Sequence, residues 1–177
     1  MPPAIRPADP RDIPAIGRIY AHAVAHGTAS FELEPPDDAE IRRRFDALRD
    51  GGFPYLVAEP NSADEATILG YAYAGPYRAR PAYRFTVEDS IYLAPDAQGR
   101  GIGRALLDRL LTESEARGYR QMIAVIGDTA QAPSIRLHEA AGFRHVGTFE
   151  AVGFKFGRWL DSVLMQKELG EGSRTVP

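Results

Sequence analysis

Apolar and polar residues follow two different periods along this chain, and together they predict strands that alternate with helices. Short stretches rich in β-branched and aromatic residues, bounded by glycine and proline, indicate strands at residues 4–6, 53–59, 68–74, 83–93, 121–126, 143–156 and 159–168. Apolar residues at helical spacing and capping residues indicate helices from the 9–12 cap to about 27, from 37 or 38 to 48, from 101 to 117 and from 133 to 141. The order of elements predicts an α/β fold with helices on both sides of a sheet.

Loops and chain length indicate one domain. Clusters of glycine, proline and polar residues predict loops at 27–36 and 75–81 and a polar turn at 60–66. The chain has 177 residues, which suits a single domain. We therefore predict one domain at residues 1–169, followed by a flexible tail at 170–177.

The composition excludes several classes of function. The formal net charge is −3, so the chain has no general basic field that would attract nucleic acid. It contains no cysteine, which excludes disulfides, thiolate metal sites and an acyl-cysteine intermediate. No apolar run approaches the length of a membrane span, and the first residues lack the apolar core of a signal peptide. We expect a cytoplasmic protein that does not bind membranes.

One short stretch, PDAQGRGIGRAL at residues 95–106, predicts a phosphate site. Gly99, Gly101 and Gly103 alternate just after a strand and just before a helix, with Arg100 and Arg104 between and beside them. The start of a helix has backbone N–H groups without helical partners and the positive end of the helix dipole. Glycine lets a phosphate approach that backbone closely. The turn therefore predicts a pyrophosphate cradle, with the two arginines at its rim.

The spacing of these glycines excludes two common phosphate motifs. A dinucleotide fingerprint needs a third glycine at position 104 or 106, where Arg104 and Leu106 stand. A P-loop fails at position 104 for the same reason.

The same stretch resembles a known family. Gln98 to Gly103 look like the Q/R-x-x-G-x-G/A loop that binds acetyl-CoA in the GNAT N-acetyltransferases. Five further segments, in order along the chain, resemble the phosphinothricin and methionine sulfoximine acetyltransferase branch. They are AYAGPYRARPAY at 72–83, TVEDSIYL at 86–93, AVIGD at 124–128, SIRLHEAAGF at 134–143 and GFKFGRWLD at 153–161. The resemblance spans residues 5–169 and implies a mostly antiparallel central sheet and a homodimer.

The resemblance also implies a set of cofactor-binding residues. The backbone at the end of the fourth strand would pair with the pantetheine arm, and one N–H there would polarise the thioester carbonyl. The residues implied for acetyl-CoA are Ile91, Tyr92, Leu93, Gln98, Gly99, Arg100, Gly101, Ile102, Gly103, Arg104 and Ser134. No metal is implied.

Two residues carry the chemistry that the resemblance implies. Glu88 lies on the strand before the glycine turn and would be the general base, acting directly or through a water, because an ammonium group is not a nucleophile. His138 shares a helix face with Ser134, four residues earlier, where most of the family has a tyrosine that protonates the leaving thiolate. Whether His138 is an acid, a base or a positioning residue stays open at this stage.

The acceptor is expected to be a small amino acid with acidic groups. Arg78 and Arg80 in the 75–81 loop suit carboxylate or phosphinate oxygens, and Tyr83 and Phe31 would complete the pocket by resemblance. Lys155 and Trp159 are ranked lower, as residues that shape the site or a dimer contact.

Three rival functions are weighed against this one. A peptide or protein N-terminal acetyltransferase of the same fold would need an open groove rather than the two arginines. A non-catalytic acyl-CoA sensor would keep the glycine turn without needing Glu88 or His138. A dinucleotide-binding protein fails on glycine spacing. His22 and His26 have a zinc-like spacing, but position 23 is alanine where a zinc protease has glutamate, so we expect no metal site.

Overall fold

A computed structural model describes residues 3–61 and 67–177 as an α/β fold around a sheet of seven strands. The strands lie in the order β1-β2-β3-β4-β5-β7-β6, and every neighbouring pair is antiparallel except β4 and β5. The strands are β1 Ala4–Pro7, β2 Tyr55–Glu59, β3 Gly70–Pro76, β4 Thr86–Leu93, β5 Gln121–Ile126, β6 Arg144–Lys155 and β7 Arg158–Glu168. The predicted mixed, mostly antiparallel sheet is confirmed.

In residues 3–61 and 67–177, four α-helices flank the sheet: α1 Ile13–His26, α2 Asp38–Asp50, α3 Ile102–Ala116 and α4 Ala132–Ala140. Their starts follow from local chemistry. The Asp37 side chain accepts a hydrogen bond from the Glu40 backbone N–H at 2.8 Å and caps α2, while Pro14 and Pro133 occupy first-turn positions that need no N–H donor. Within the described residues, no helix is long and apolar enough to cross a membrane.

The sheet has a separate apolar core on each face. Leu106, Leu107 and Leu110 of α3 pack on one face with Val87 of β4. Ile16 of α1 packs on the other face with α2 and a layer of tyrosines from β2 and β3. Because successive side chains of a strand point to opposite faces, β4 contributes to both cores in turn.

Three predicted strands have different boundaries in the structure, and the strand predicted at 68–74 lies at Gly70–Pro76. The strand predicted from residue 83 begins at Thr86, because Pro81–Tyr83 form a 3₁₀ turn in which the Tyr83 N–H donates to the Arg80 carbonyl at 3.0 Å. The strand predicted from residue 53 begins at Tyr55, since the Phe53 N–H donates to the Leu48 carbonyl and closes α2 instead.

The remaining predicted segments are the turn at 60–66 and the tail at 170–177. Residues 62–66 of the predicted 60–66 turn lie outside the described residues. In the 170–177 segment, the Arg120 guanidinium donates to the Thr175 hydroxyl at 3.0 Å. The flexibility of this segment stays a prediction.

Candidate functional site

The site is a cleft that opens where two parallel strands separate. β4 and β5 pair only from Thr86 with Gln121 to Asp89 with Ala124. Beyond that point β4 stays on β3 and β5 stays on β7, so a wedge opens between them. The cleft spans about 450 Å³, its open mouth included, and its walls come from β4, β5 and α4. Its lining includes Ser90, Ile91, Tyr92, Val125, Ser134 and His138.

The predicted glycine turn follows β4 after a short 3₁₀ helix at Pro95–Ala97. Gly99 and Gly101 have φ angles of +71° and +77°, the left-handed region that favours glycine. A Cβ atom built on either residue would meet nothing within 4 Å, so the space above both is open. Gly101 is also the residue that precedes the first turn of α3. The turn therefore has the backbone shape and the clear approach that an anionic group needs at a helix start.

The other residues of the turn have distinct surroundings. Gln98 and Arg100 are exposed, whereas Ile102 and Gly103 are buried under the turn. The Arg104 guanidinium donates to Asp108 at 2.8 Å and to the Ala140 carbonyl at 2.8 Å, which ties α3 to the end of α4. A phosphate at the rim would have to share Arg104 with these partners.

The residues at the end of β4 divide between the two faces. The Tyr92 ring packs edge-on against Tyr20 of α1, with ring centroids 5.0 Å apart. Leu93 faces α3, where its Cδ1 atom would lie 3.5 Å from a Cβ atom on Gly103. The backbone of these residues borders the open wedge.

Glu88 comes one residue before Asp89, the last residue of β4 that pairs with β5. Its side chain points to the face of the sheet that α1 and α2 cover. Glu88 is half-buried and is paired in register with Gly75 of β3 and Ile123 of β5. Burial raises the pKa of Glu88, the neighbouring Asp89 carboxylate raises it further, and Arg78 opposes both effects. A carboxylate with a raised pKa is a better proton acceptor, as a general base requires.

His138 lies across the sheet, on the α3 and α4 side, and forms a buried pair that the sequence analysis missed. Its Nε2 atom lies 3.0 Å from Oδ2 of Asp89, and its Nδ1 atom lies 2.8 Å from the Ser134 carbonyl oxygen. Burial alone lowers the pKa of His138, but the Asp89 hydrogen bond and charge outweigh it, so the pKa is raised. An aspartate at an inward position of β4, between Val87 and Ile91, was the one sign that a polar side chain would be buried there, but it did not identify His138 as its partner.

The loop after α1 forms another border of the cleft, and distant residues hold it in place. Lys155, at the end of β6, is 3% exposed, and its Nζ atom donates to the carbonyls of Gly27 and Ser30 at 2.9 Å each. Burial lowers the pKa of Lys155, and the charge of Glu32 opposes this effect. Lys155 therefore holds the loop rather than facing the open cleft.

A second anchor joins the same loop to β5. The Thr28 hydroxyl donates to Oδ2 of Asp128 at 3.1 Å, and Arg158 of β7 donates to the same oxygen at 2.7 Å. The Gln131 side chain donates to the Thr28 hydroxyl at 3.0 Å. Partners about a hundred residues apart left no local signal in the sequence.

Phe31 lies at the end of this loop, and its ring packs very closely against other parts of the chain. Its ring lies over two glycines, so closely that a Cβ atom on Gly127 or Gly153 would lie 2.9 Å or 2.4 Å from it. Phe31 is still 38% exposed, so part of the ring remains free to contact a ligand.

The two arginines of the 77–83 segment are exposed. The Arg78 guanidinium lies 5.0 Å from the centre of the Tyr77 ring, and Tyr77 packs edge-on against Tyr83. The positive charge of Arg78 opposes the rise in the pKa of Glu88. Arg80 precedes the 3₁₀ turn, and no described residue pairs with its guanidinium in a hydrogen bond or ion pair.

The two histidines of α1, His22 and His26, pack against each other with ring centroids 4.6 Å apart and the ring planes tilted by 42°. Among the residues that the structure describes, no group of three or more histidine, aspartate or glutamate side chains could hold a metal ion.

Comparison with known proteins identifies the family. Residues 18–143 match the model of the acetyltransferase (GNAT) family. The chain is 54% identical over 166 residues to the phosphinothricin N-acetyltransferase of Alcaligenes faecalis, covering 94% of this chain and 82% of that protein. It is 41% identical over 167 residues to the L-methionine sulfoximine/L-methionine sulfone acetyltransferase of Salmonella typhimurium, covering 94% and 95%.

A solved structure gives the same assignment. A GNAT superfamily phosphinothricin acetyltransferase from Sinorhizobium meliloti, determined in complex with AcCoA, superimposes with a TM-score of 0.95 at 48% identity, over 100% of this chain and 94% of that one. The cleft, the glycine turn at the start of α3 and these similarities lead to one conclusion: the chain belongs to the acetyltransferase (GNAT) family.

Proposed function

We propose that this protein transfers the acetyl group of acetyl-CoA to the α-amino group of small amino-acid-like compounds, such as phosphinothricin, methionine sulfoximine and methionine sulfone. The main observation behind this proposal is the wedge between β4 and β5. The glycine turn lies farther along the chain, between β4 and α3, while Glu88 lies on one face of the sheet and His138 on the other. The names of the relatives, 54% and 41% identical over 94% of this chain, support the same substrate class. We regard residues 1–169 as the catalytic domain.

Acetyl-CoA would lie along the wedge. Its pyrophosphate would rest on the backbone N–H groups of residues 99–103, where the left-handed glycines leave open space. Its pantetheine arm would pair with the backbone of residues 91–93 on one side and contact Ser134 on the other. This places the thioester near the point where the strands part, within reach of both faces of the sheet.

The proposed acetyl transfer uses groups from both faces of the sheet. Glu88 accepts a proton from the substrate ammonium group, and the free amine attacks the thioester carbonyl carbon. A backbone N–H at the end of β4 stabilises the oxyanion that forms. The C–S bond then breaks, the nitrogen loses its second proton, and the thiolate of coenzyme A takes up one proton. Binding both substrates in one cleft supplies much of the rate gain.

The acceptor would lie on the Glu88 side, between two loops. Arg78 and Arg80 are exposed donors suited to carboxylate or phosphinate oxygens, and Arg78 already lies near Glu88. Tyr83 borders the same segment, and the exposed part of Phe31 would form the opposite wall. A small acid fits these contacts better than a peptide, which would need an open groove.

Release of free thiol from acetyl-CoA tests the function. Phosphinothricin, methionine sulfoximine, methionine sulfone and a peptide with a free N-terminus would be compared as acceptors. We expect turnover with the three small compounds and much less with the peptide. Preference for the peptide would support the N-terminal acetyltransferase alternative, and coenzyme binding without any turnover would support the acyl-CoA sensor.

Replacing Glu88 by glutamine tests the proposed base. We expect kcat to fall by about 10²–10⁴ because the amine keeps its proton, while the affinity for acetyl-CoA stays within about twofold. Kinetics with methionine sulfoximine and calorimetric titration with acetyl-CoA measure the two quantities. An unchanged kcat would show that Glu88 is not the base.

We also propose a cytoplasmic homodimer. Support for the dimer comes from the apolar side chains that the edge strand β6 and its hairpin leave exposed: Phe149, Val152, Phe154 and Trp159 are each 55–65% exposed. Sedimentation velocity should give about twice the 19.4 kDa chain mass. Phe149→Glu should shift the protein toward the monomer, and a wild-type monomer at micromolar concentration would contradict the dimer. Cell fractionation checks the compartment.

A further inference from the structure

The buried pair of Asp89 and His138 has a definite proton count. Both side chains are almost fully buried, at 2% and 5% exposure. His138 Nδ1 faces the Ser134 carbonyl oxygen at 2.8 Å, and a carbonyl can only accept, so Nδ1 must carry a proton. His138 Nε2 faces Oδ2 of Asp89 at 3.0 Å, and the other Asp89 oxygen, Oδ1, has no hydrogen-bond partner among the described residues.

Only one further proton satisfies the Nε2–Oδ2 contact. Without it, the lone pair of a neutral imidazole would face a carboxylate in a buried site, which is unfavourable. With it, the pair is either an imidazolium with a carboxylate or an imidazole with a carboxylic acid. Both forms are neutral as a pair, and both keep the contact a hydrogen bond.

We propose that Asp89 is a positioning residue that retains this proton on the pair, so that His138 enters the reaction as a proton donor and not as a base. The proposal decides the role that the sequence left open for His138, and it adds Asp89, which no sequence pattern had marked.

The groups around the pair leave Asp89 as the main electrostatic partner of His138. From β4, Glu88 is adjacent in sequence but points to the opposite face of the sheet. From α3, Arg104 is already paired with Asp108. On α4 itself, Arg136 and Glu139 are exposed. β5 presents the apolar Ala124, and the Phe143 ring before β6 packs edge-on against His138 at 5.0 Å. The raised pKa of His138 agrees with this arrangement.

The consequence for catalysis rests on the proposed function. When the C–S bond breaks, the sulfur of coenzyme A takes the retained proton from the pair, which is left with one negative charge. The proton that the amide nitrogen loses on product formation, or a proton from solvent, restores the pair. Thiolate release is thereby coupled to a group that is already protonated near neutral pH.

The first test needs no activity. In ligand-free protein labelled with ¹⁵N-histidine, imidazole nitrogen shifts report the protonation of each of the four histidines. His138 is assigned by the signals that disappear in His138→Gln. We expect the pair to keep its proton well above pH 6.5, where an ordinary histidine has lost half of it. Signals of an unprotonated Nε2 at pH 7, together with a carboxyl ¹³C shift that shows Asp89 ionised, would overturn the proposal.

Asp89→Asn is the second test, because asparagine keeps the shape but supplies an N–H donor. That donor satisfies the Nε2 lone pair of a neutral imidazole, so we expect His138 to become neutral at pH 7. The ratio of wild-type to variant kcat should rise about tenfold between pH 6 and pH 8, because the variant loses its donor as the pH rises. A merely structural role would lower kcat by the same factor at every pH and would contradict the proposal.

Glu139→Gln is the matched control, since it removes one negative charge from α4 at an exposed position without touching His138. We expect it to leave both the nitrogen shifts and the pH profile unchanged. If Asp89→Asn does not fold, the wild-type nitrogen shifts still decide the matter. Failure of thiol release together with a protonated pair would refute the proposed function and leave the pair standing, so the two failures are distinguishable.

Discussion

The glycine turn at residues 98–104 follows β4, which forms one wall of the cleft, and the loop at residues 27–31 borders the cleft through Ala29, but the two segments are held in different ways. The turn is shaped by its own backbone, through left-handed Gly99 and Gly101. The loop is held by residues a hundred or more positions away, including Lys155 and Asp128. A feature with local causes can be recognised in a sequence, whereas a feature with distant causes becomes visible only when the chain is folded.

Removing the main anchor of the loop should have the largest effect on stability. Lys155→Met leaves the buried carbonyls of Gly27 and Ser30 without their donor, so we expect the free energy of unfolding to fall by about 2–4 kcal/mol. The KM for the amino-acid acceptor should rise more than the KM for acetyl-CoA, because the loop borders the acceptor side. Urea denaturation and steady-state kinetics measure these quantities.

Lys167→Met provides the control for that variant. Lys167 is a half-exposed lysine of β7, and its loss should change stability by no more than about 0.5 kcal/mol. Equal effects of the two substitutions would mean that the buried contacts of Lys155 do not hold the loop.

How far the sequence predicts the fold depends on the same distinction. The helix bounds at Asp38 and Ala116 follow from caps and glycines, and the sequence analysis placed them within one residue. The start of β4 was wrong by three residues, because Pro81 begins a 3₁₀ turn that apolar alternation does not reveal. The parting of β4 from β5, which makes the cleft, depends on pairings among four strands and has no local pattern.

The candidate site divides in the same way. The positions of Glu88 on β4 and of the glycine turn before α3 could be predicted, since each belongs to a short segment of recognisable form, while their roles stay predictions. The partner of His138 could not, because Asp89 is 49 residues away and reads as one more inward position of a strand. The contacts of Lys155 could not be predicted for a similar reason. Its partners are backbone carbonyls, and nothing in the sequence distinguishes one backbone carbonyl from another.

The close packing of the Phe31 ring allows a sharper test of the loop, with a smaller expected effect on stability. In Gly153→Ala the new Cβ atom would lie 2.4 Å from the ring, so Phe31 must turn out of its seat. We expect a loss of about 1–2 kcal/mol from the exposed ring area and a higher KM for the acceptor. Gly147→Ala, on the same strand, meets nothing within 4 Å and should leave both quantities unchanged. Similar results from both variants would mean that Phe31 does not wall the acceptor pocket.

The glycine turn can be tested against a glycine at the other end of the same helix. Gly101 and Gly118 have φ angles of +77° and +84°, and a Cβ atom on either would meet nothing within 4 Å. Alanine at either position should therefore lower stability by a similar, small amount, about 1 kcal/mol, through backbone strain alone. Only at Gly101 does the open space face the proposed pyrophosphate site, so only Gly101→Ala should raise the KM for acetyl-CoA, by about tenfold. Equal KM values at equal loss of stability would mean that the turn shapes α3 without binding the coenzyme, and the locally encoded half of the cleft would then be structural.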